Sequence, residues 1–256
     1  MTEWKDRIVF VTGATAGFGT AIARRYAAAG AGLVLCGRRA ERLAAIKAEL
    51  SSVPVHTVPL DVRDRKAVSE AVAALPADFA AIDVLVNNAG LALGLDGADE
   101  ADLDDWDQMV DTNVKGLMYV TRAVLPGMVA RDRGHIVNLS SIAGTYPYAG
   151  GNAYGATKAA VTQFSLNLLT DLVRTRVRVT NIEPGLCGGS EFSLVRFHGD
   201  AGKAAKVYEN TDALSSEDVA EAVFWATTLP ARVNINRIEM MPVTQAPGGL
   251  TVHRRG

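Results

Sequence analysis

The sequence has little of several features that mark other classes of protein. Its 256 residues include only two cysteines, Cys36 and Cys187, which form neither a CxxC pair nor a framework of several bridges. This fits a reducing compartment, and we expect a cytoplasmic protein. No apolar run is long enough to span a bilayer, and the start, MTEWKDRIVF, lacks the layout of a signal peptide. The four histidines are scattered, so no metal site is expected.

An excess of charge of either sign is also missing. The formal net charge is −2 and the pI is about 6.1, so we expect neither a nucleic-acid nor a membrane partner. Hydrophobic residues make up 48% of the chain and charged residues 21%. This composition is typical of a soluble globular protein with a sizeable core.

Short apolar runs alternate with helical patterns along the chain. The predicted strands are 7–13, 32–37, 55–62, 82–90, 135–141, 176–185 and 235–242, and the predicted helices are 18–30, 40–50, 64–75, 103–130, 153–174 and 216–229. Strands that alternate with helices indicate βαβ units, and apolar strands indicate a parallel sheet covered on both faces. We therefore predict an α/β fold. It is a Rossmann-type, doubly wound parallel sheet of about seven strands, in a single domain over residues 1–256.

Residues 186–214 depart from this alternation. They combine several glycines with a polar mixture and no strand pattern, which predicts a loop with one or two short helices. The segment follows the carboxyl end of a predicted strand, and this position favours a substrate lid over an ordinary insertion. Residues 243–256 are predicted to form a C-terminal tail.

A glycine-rich turn, TGATAGFG, runs from Thr12 to Gly19 between the first strand and the first helix. Glycines let a backbone approach a pyrophosphate closely, and a helix N-terminus supplies N–H groups and a positive dipole end. The G-x-x-x-G-x-G spacing differs from the general G-x-G-x-x-G fingerprint, so a tightly packed turn is the alternative. The context of strand and helix favours cofactor binding. The expected contacts are Gly13, Thr15, Gly17, Phe18 and Gly19.

Two arginines, Arg38 and Arg39, follow the second strand, and no acidic residue lies between Gly32 and Arg39. A carboxylate here would bind the ribose 2′-hydroxyl of NAD, whereas an arginine accommodates the 2′-phosphate of NADP. The pair therefore predicts NADP. The alternative, two exposed arginines at a helix start, is disfavoured by the helix dipole. Asp61 is predicted to accept from the adenine amino group, to cap the helix that follows, or both.

Tyr154 and Lys158 lie four residues apart, on one face of a predicted helix. The pKa of tyrosine is ordinarily about 10, which is too high for easy proton exchange at neutral pH. The ammonium group of Lys158 and a cationic nicotinamide would favour the phenolate of Tyr154. Ser141, at the end of the fifth predicted strand, can bond the substrate oxygen. A polar helix face is the alternative interpretation of the pair.

These motifs, together with NNAG at 87–90, SS at 140–141 and PG at 184–185, resemble the short-chain dehydrogenase/reductase family over nearly the whole chain. The resemblance implies a catalytic tetrad of Asn113, Ser141, Tyr154 and Lys158. Tyr154 would be the general acid and base, Lys158 would also bind the nicotinamide ribose, and Asn113 would hold a water. Alternatively, Asn113 is a buried asparagine bonded only to backbone. Further cofactor contacts that the resemblance implies are Val62, Asn88, Ala89, Gly90, Pro184, Gly185 and Ser190.

Segments such as YPYAGGNAYGATK and NINRIEMMPVTQ are similar to the bacterial NADP-dependent 3-hydroxy acid dehydrogenases. Those enzymes oxidise serine, allo-threonine, 3-hydroxypropionate and 3-hydroxyisobutyrate, they also reduce malonic semialdehyde, and they are typically homotetramers. Cys187 and Ser190 depart from that pattern, in which we expect an aliphatic residue and a threonine. Alternatives are a sulfoacetaldehyde reductase, a general carbonyl reductase, or an NADP-sensing binding protein without turnover.

A 3-hydroxy acid needs a partner for its carboxylate, and the planar fork of an arginine suits that group. Arg196, in the predicted lid, is the leading candidate, with a solvated lid arginine as the alternative. Tyr148 and Asn152 precede Tyr154 and are predicted to border the substrate. Glu183 would either orient a substrate amino group or satisfy loop amides. Another open choice concerns the basic end: Arg254 and Arg255 either reach a neighbouring subunit's site or form a disordered tail.

Overall fold

Seven strands form one parallel sheet in the computed structural model of the protein, which describes residues 4–248. They are β1 (Ile8–Thr12), β2 (Gly32–Gly37), β3 (Val55–Pro59), β4 (Ile82–Asn87), β5 (Gly134–Leu139), β6 (Val177–Pro184) and β7 (Arg237–Met240). The spatial order is β3-β2-β1-β4-β5-β6-β7, and every neighbouring pair is parallel. The predicted doubly wound sheet is confirmed. Its direction of winding reverses between β1 and β4, where open α/β sheets bind ligands.

The connections between the strands are mostly helical. The helices are α1 (Gly17–Ala28), α2 (Ala40–Glu49), α3 (Arg65–Ala73), α4 (Ala77–Ala80), α5 (Leu103–Val110), α6 (Leu117–Ala130), α7 (Asn152–Asp171), α8 (Phe192–Arg196), α9 (Ala201–Lys206) and α10 (Ser216–Thr228). The helix predicted over 103–130 is continuous, but a π-helical turn at Asp111–Gly116 joins α5 to α6. A short 3₁₀ turn, Ile142–Gly144, follows β5.

The sheet has a hydrophobic core on each face. Along β1, Val9 and Val11 point to one face and Phe10 to the other, because side chains alternate along a strand. On the first face, α1 and α10 supply Ile22, Tyr26, Val219 and Val223. On the second face, α6 and α7 supply Val120, Val124, Met128 and Leu168. The central strands are covered on both sides, which explains why their sequences are apolar throughout.

Residues 186–214 cover the carboxyl edge of the sheet and contain α8 and α9. Their two ends meet at a parallel β-bridge between Cys187 and Leu214. The Leu214 N–H donates to the Leu186 carbonyl at 3.0 Å, and the Gly188 N–H donates to the Leu214 carbonyl at 2.8 Å. Gln245, beyond β7, accepts from the Leu186 N–H at 2.8 Å. We refer to residues 186–214 as the lid.

Within residues 4–248, no helix is long and apolar enough to cross a membrane, and no three histidine, cysteine, aspartate or glutamate side chains group as metal ligands would. Both cysteines are free thiols; Cys36 is buried and Cys187 half-buried. The predicted tail 243–256 is described as far as residue 248. Arg254 and Arg255 lie outside the described residues.

Candidate active site

The glycine turn at the start of α1 is packed so closely that its positions require glycine. Gly13 and Gly17 have φ angles of +65° and +50°, which favour glycine. Gly19 has no such angle, but a Cβ atom there would overlap the Gly13 carbonyl oxygen and lie 2.6 Å from the Asn88 amide nitrogen. The N-cap residue Ala16 has no side-chain oxygen, so the first N–H groups of α1 carry no side-chain cap. These features fit a bound pyrophosphate.

Residues predicted as cofactor contacts hold this turn against β4. The Asn88 amide donates to the carbonyls of Thr12, at 2.8 Å, and Gly13, at 3.2 Å. Thr12 Oγ1 accepts from the backbone N–H groups of Asn88 and Ala89, both at 3.0 Å. Phe18 is half-buried and packs on the first core cluster. The side chains of Asn88 and Phe18 are therefore used within the protein.

The two arginines after β2 have different surroundings. Arg38 is exposed, and its side chain makes no hydrogen bond or ion pair with the part of the chain that the structure describes. Arg39 is half-exposed and donates to Thr15 Oγ1 at 3.0 Å and to the Glu191 carboxylate of the lid at 2.8 Å. Arg42, in the first turn of α2, reaches the same carboxylate at 2.9 Å. A cluster of positive charge thus lies where β2 ends.

Asp61 does not cap the helix that follows it. Its carboxylate accepts from the Arg63 side chain at 2.6 Å, and this hydrogen bond lowers the pKa of Asp61 below its ordinary value. The helix α3 begins at Arg65, four residues after Asp61. It is capped by Asp64, which accepts from the Ala67 N–H at 2.9 Å. The capping prediction is wrong because an aspartate nearer the helix takes that place. Contact between Asp61 and adenine stays a prediction.

The two serines after β5 face different partners. Ser140 is buried, and its hydroxyl donates to the Lys158 carbonyl at 2.7 Å, which ties β5 to α7. Ser141 begins the 3₁₀ turn and accepts from the Ala143 N–H at 3.1 Å. Ser141 Oγ also donates to the Pro184 carbonyl at 3.4 Å, and the hydroxyl lies near enough to Tyr154 to lower that tyrosine's pKa. Of the pair, Ser141 is therefore available to a reacting oxygen.

Tyr154 and Lys158 are both buried, with 9% and 6% of their surface exposed. Burial raises the pKa of Tyr154 to about 12, although the charge of Arg196 and the neighbouring Ser141 hydroxyl act to lower it. Burial lowers the pKa of Lys158 to about 8. The Lys158 ammonium lies 5.7 Å from the centre of the Tyr154 ring and donates to the Leu139 carbonyl at 2.9 Å.

This arrangement corrects the predicted effect of the lysine. We expected the Lys158 ammonium and a cationic nicotinamide to lower the pKa of Tyr154. The protein's own groups raise that pKa, because the loss of hydration outweighs the nearby charges. The effect of the nicotinamide stays a prediction. Among the charged groups near Tyr154, Arg196 does most to lower its pKa. The sequence did not indicate this effect of Arg196. Lys158 itself is close to losing its proton at neutral pH, because burial disfavours the ammonium.

Asn113 lies in the π-helical turn and is fully buried. Its oxygen accepts from the Leu91 N–H at 2.9 Å, and its nitrogen donates to the Leu91 carbonyl at 2.8 Å and to Thr157 Oγ1 at 3.1 Å. The alternative that it bonds only to backbone is wrong, because Thr157 contributes a side chain from α7. A Cβ on Gly90 would lie 3.1 Å from the Asn113 oxygen and 3.5 Å from the Lys158 ammonium. Gly90 therefore allows these two residues to approach each other.

The lid brings Arg196 next to Tyr154. The Arg196 guanidinium carbon lies 5.1 Å from the centre of the Tyr154 ring and 5.0 Å from that of Phe192. Arg196 also donates to the Tyr148 hydroxyl at 3.0 Å, while its Nε atom is buried and has no partner within residues 4–248. The Phe192 ring packs edge-on against Tyr154, with 5.9 Å between ring centres. An arginine with a free donor thus lies beside the tyrosine.

Two other predicted substrate contacts are held elsewhere. The Asn152 amide donates to the Asp96 carbonyl at 3.1 Å, in a small pocket that also includes Asp105 and Trp106. Glu183 is completely buried, accepts from Asn181 at 2.6 Å and pairs with Arg237 of β7. The predicted bonds to loop amides are wrong, because side chains of β6, α7 and β7 hold the carboxylate. A contact with a substrate amino group stays a prediction.

The remaining predicted cofactor contacts lie at the lid base and in the core. Val62 is buried against Gly116 of the π turn. Pro184 ends β6, and the Gly185 N–H donates to the Met240 carbonyl at 2.8 Å. Ser190 lies against Gly17, where a glycine Cβ would be 2.9 Å from the serine Cβ. A cavity of about 880 Å³ opens beside this contact, between α1 and the lid, and Tyr154 and Ser141 do not line it.

Sequence reasoning missed Glu191 and Gln245 as partners of the site. Glu191 accepts a hydrogen bond from Arg39, which is 152 residues away in the sequence. Gln245 accepts one from the Leu186 N–H, which is 59 residues away. Neither residue lies in a local motif or a periodic pattern, so no signal near it in the sequence indicates the contact.

Comparisons with known proteins agree with this geometry. The sequence profile of the short chain dehydrogenases matches residues 7–194. The chain is 65% identical over 247 residues to the NADP-dependent 3-hydroxy acid dehydrogenase of Salmonella typhi, which covers 96% of this chain and 99% of that protein. It is 52% identical over 249 residues to the sulfoacetaldehyde reductase 2 of Chromohalobacter salexigens, covering 96% and 98%.

A solved structure is similar over almost the whole fold. The closed form of a serine dehydrogenase complexed with NADP⁺ superposes with a TM-score of 0.94 at 62% sequence identity, covering 97% of this chain and 100% of that one. The likeness therefore extends over the sheet, the glycine turn and the lid.

Proposed function

The chain belongs to the short-chain dehydrogenase family, and we propose that it is an NADP-dependent oxidoreductase of small 3-hydroxy acids. It transfers a hydride between the nicotinamide and the hydroxyl-bearing carbon of a substrate of the serine, allo-threonine or 3-hydroxypropionate type, or reduces the corresponding semialdehyde. The 3-hydroxy acid dehydrogenase relative supports both the reaction and the cofactor, and the NADP⁺-bound serine dehydrogenase supports the fold of the cofactor site.

The residues at the carboxyl edge of the sheet fit NADP. The closely packed glycine turn holds the start of α1, whose first N–H groups carry no side-chain cap and are suited to the pyrophosphate. Arg38, with its guanidinium exposed, and Arg39 are suited to the 2′-phosphate. When bound, the cofactor supplies the hydride acceptor or donor; the chain supplies binding, orientation and proton transfer.

Four side chains carry the proton chemistry in this proposal. Tyr154, as phenolate, takes the hydroxyl proton during oxidation, and as phenol it protonates the developing alkoxide during reduction. Ser141 holds the substrate oxygen next to Tyr154. The charge of Arg196 favours the phenolate, Lys158 is held by the Leu139 carbonyl and is available to the nicotinamide ribose, and Asn113 fixes the backbone of Leu91. A water held by Asn113 remains a prediction from the family resemblance.

The acid specificity rests on one observation, the position of Arg196. Its guanidinium lies beside the Tyr154 ring and has a buried Nε donor without a partner among residues 4–248. In a 3-hydroxy acid, one carbon separates the carboxylate from the carbon that reacts, so both groups must fit close to Tyr154. An arginine fork also suits a sulfonate, and the 52% identity to a sulfoacetaldehyde reductase makes that substrate class the second candidate.

A substrate panel tests the proposal. Reduced-nicotinamide formation is measured with NADP⁺ and NAD⁺ on serine, 3-hydroxypropionate, 3-hydroxyisobutyrate, isethionate and an uncharged secondary alcohol. We expect the carboxylates with NADP⁺ to react best. Preference for isethionate would support the sulfonate alternative. Activity on the alcohol alone would contradict the acid-binding argument and indicate a general carbonyl reductase.

Replacement of Arg196 tests the carboxylate contact directly. In Arg196→Gln we expect the ratio of kcat/KM for 3-hydroxypropionate to that for the alcohol to fall about ten- to hundredfold, because a charge-assisted hydrogen bond is lost. The ratio cancels any effect that Arg196 has on the acidity of Tyr154. Lys203→Gln, which removes another cation of the lid that pairs with Asp200, is the matched control. An unchanged ratio in Arg196→Gln would assign the carboxylate to another residue.

We also propose the setting in which this activity operates. Two free cysteines support a cytoplasmic protein. The β-bridge at Cys187 and Leu214 supports treating residues 186–214 as one lid unit within a single domain. Exposed apolar side chains on α10 and beyond β7 support the homotetramer that the family resemblance implies.

A further inference from the structure

One carboxylate joins the lid to the arginines that follow β2. Glu191 accepts from Arg39 Nη1 at 2.8 Å on one oxygen and from Arg42 Nη1 at 2.9 Å on the other. The hydrogen bonds from the two guanidinium groups hold the pKa of Glu191 below its ordinary value. The carboxylate is therefore charged at neutral pH. It lies in the arginine cluster after β2, which the proposed function assigns to the 2′-phosphate.

Arg39 has few donors left for a further anion. Its Nε and Nη2 groups donate to Thr15, at distances of 3.0 to 3.3 Å, and its Nη1 group donates to Glu191. A guanidinium has five N–H donors and offers carboxylates and phosphates the same fork. The Glu191 carboxylate and a phosphate monoester are therefore alternative partners for Arg39.

Glu191 also lies at the start of the lid helix that reaches Tyr154. It immediately precedes α8, which carries Phe192 and Arg196. The Phe192 ring centre is 5.9 Å from that of Tyr154, and the Arg196 guanidinium carbon is 5.1 Å from the same ring. The bond between Glu191 and Arg39 therefore fixes one end of the helix whose residues pack on Tyr154.

We propose that Glu191 is a specificity residue that competes with the 2′-phosphate of the cofactor for Arg39. The inference rests on the NADP part of the proposed function. Without a 2′-phosphate, the carboxylate holds the lid against Arg39 and Arg42. A phosphate at Arg39 displaces the carboxylate from that guanidinium, while Arg42 keeps its bond to Glu191 at 2.9 Å. NADH has no 2′-phosphate and leaves this tie in place.

The first test measures binding rather than turnover. Dissociation constants of NADPH and NADH are determined by nicotinamide fluorescence for the wild-type protein and Glu191→Gln. We expect the variant to bind NADPH about fivefold more tightly, because the Glu191 carboxylate no longer competes with the 2′-phosphate for Arg39. Binding of NADH, which has no 2′-phosphate, should change less than about twofold. Glu49→Gln is the matched control: Glu49 is also a half-exposed glutamate paired with an arginine, Arg24, at 2.6 Å. It should leave both constants unchanged.

A double variant separates competition from a general effect of charge. In the Arg39→Ala background, Glu191→Gln should no longer tighten NADPH, because the shared donor is gone. The same tightening in that background would overturn the competition. Failure of the wild-type protein to bind NADPH would instead refute the NADP assignment. If NADPH binds equally well to the wild-type protein and Glu191→Gln, only this inference fails.

Discussion

Tyr154 and Lys158 depart from ordinary acidity in opposite directions for the same physical reason. Both side chains are buried, and burial disfavours the charged form of each, which is the phenolate of the tyrosine and the ammonium of the lysine. The proposed oxidation requires both charged forms together. Two opposing titrations therefore determine how the rate depends on pH.

The pH profile of the oxidation follows from these two values. Below its pKa of about 12, the fraction of Tyr154 present as phenolate grows about tenfold per pH unit, whereas the ammonium fraction of Lys158 falls above about pH 8. We expect kcat/KM for 3-hydroxy acid oxidation to rise with pH up to about 8 and to level off above it. Reduction uses the phenol, so its kcat/KM should be flat up to about pH 8 and fall above. Initial rates in both directions, measured across pH 6–10, check these profiles.

Tyr154→Phe is the control for this assignment. We expect it to lower turnover by about 10²- to 10⁴-fold, as for the loss of a general acid or base, and to leave NADPH binding nearly intact. Tyr119→Phe removes a hydroxyl from a tyrosine that packs in the second core cluster on α6, and should retain activity. A rising oxidation profile that persists in Tyr154→Phe would assign the proton to another group. Full activity in that variant would contradict the mechanism.

Some residues of the site were predictable because their chemistry is local. Tyr154 and Lys158 share a helix face, and Arg38 and Arg39 follow a strand without an intervening acid. Arg196 was predicted from its position after a strand end. Its contact with the Tyr148 hydroxyl spans 48 positions. Glu191 was not predicted, because it pairs with arginines that are distant in sequence and that the fold brings next to it.

At the scale of elements, the apolar runs located all seven strands but overestimated several ends. The third strand was predicted over 55–62, yet pairing stops at Pro59, while Leu60 and Val62 remain buried in the core. An apolar pattern reports burial, and burial continues after backbone pairing ends. The π-helical turn DTNVKG was missed for a related reason: one wider turn inside a helix leaves no periodic signal of its own.

The glycine turn and α1 pack so closely that one methyl group should disrupt them. In Gly19→Ala, the added carbon would overlap the Gly13 carbonyl and approach the Asn88 amide to 2.6 Å. We expect a loss of about 1–3 kcal/mol in the free energy of unfolding and weaker NADPH binding, because backbone must move to relieve the overlap. Thermal unfolding and NADPH titration measure the two effects.

Gly127→Ala provides the matched control. Gly127 lies in α6, and its nearest neighbour, 3.2 Å from an added Cβ, is the end of the flexible Arg131 side chain. Removing a glycine from a helix stabilises it by about 0.5–1 kcal/mol, so this variant should unfold at a slightly higher temperature and bind NADPH normally. If Gly19→Ala behaved in the same way, close packing of the turn would not be needed for cofactor binding.

On the scale of the whole molecule, the order of the strands explains why one edge carries the site. The sheet reverses its direction of winding between β1 and β4, so the glycine turn and the loop after β4 lie side by side. Asn88 fixes them together through the carbonyls of Thr12 and Gly13. Alternation of strands and helices was sufficient to predict this architecture. The side-chain contacts that complete the site join residues far apart in the sequence, so no local pattern could predict them.

The outer surface next to β7 favours association between copies of the chain. Trp225 on α10 is 52% exposed and Val243, just after β7, is 99% exposed. β7 is a four-residue strand at the edge of the sheet. Large apolar side chains beside a sheet edge indicate an interaction surface. We therefore expect this side of the molecule to form one interface of the proposed tetramer.

Light scattering coupled to size-exclusion chromatography tests the assembly. We expect a particle of about four times the 27.1 kDa of one chain. Trp225→Glu should shift the population to smaller species, because burying an unpaired carboxylate in an interface opposes association. Ser69→Glu adds the same charge on exposed α3, between β3 and β4 and away from the β7 edge, and should leave the mass unchanged. A wild-type monomer would contradict the tetramer, and a Trp225→Glu tetramer would place its interfaces elsewhere on the surface.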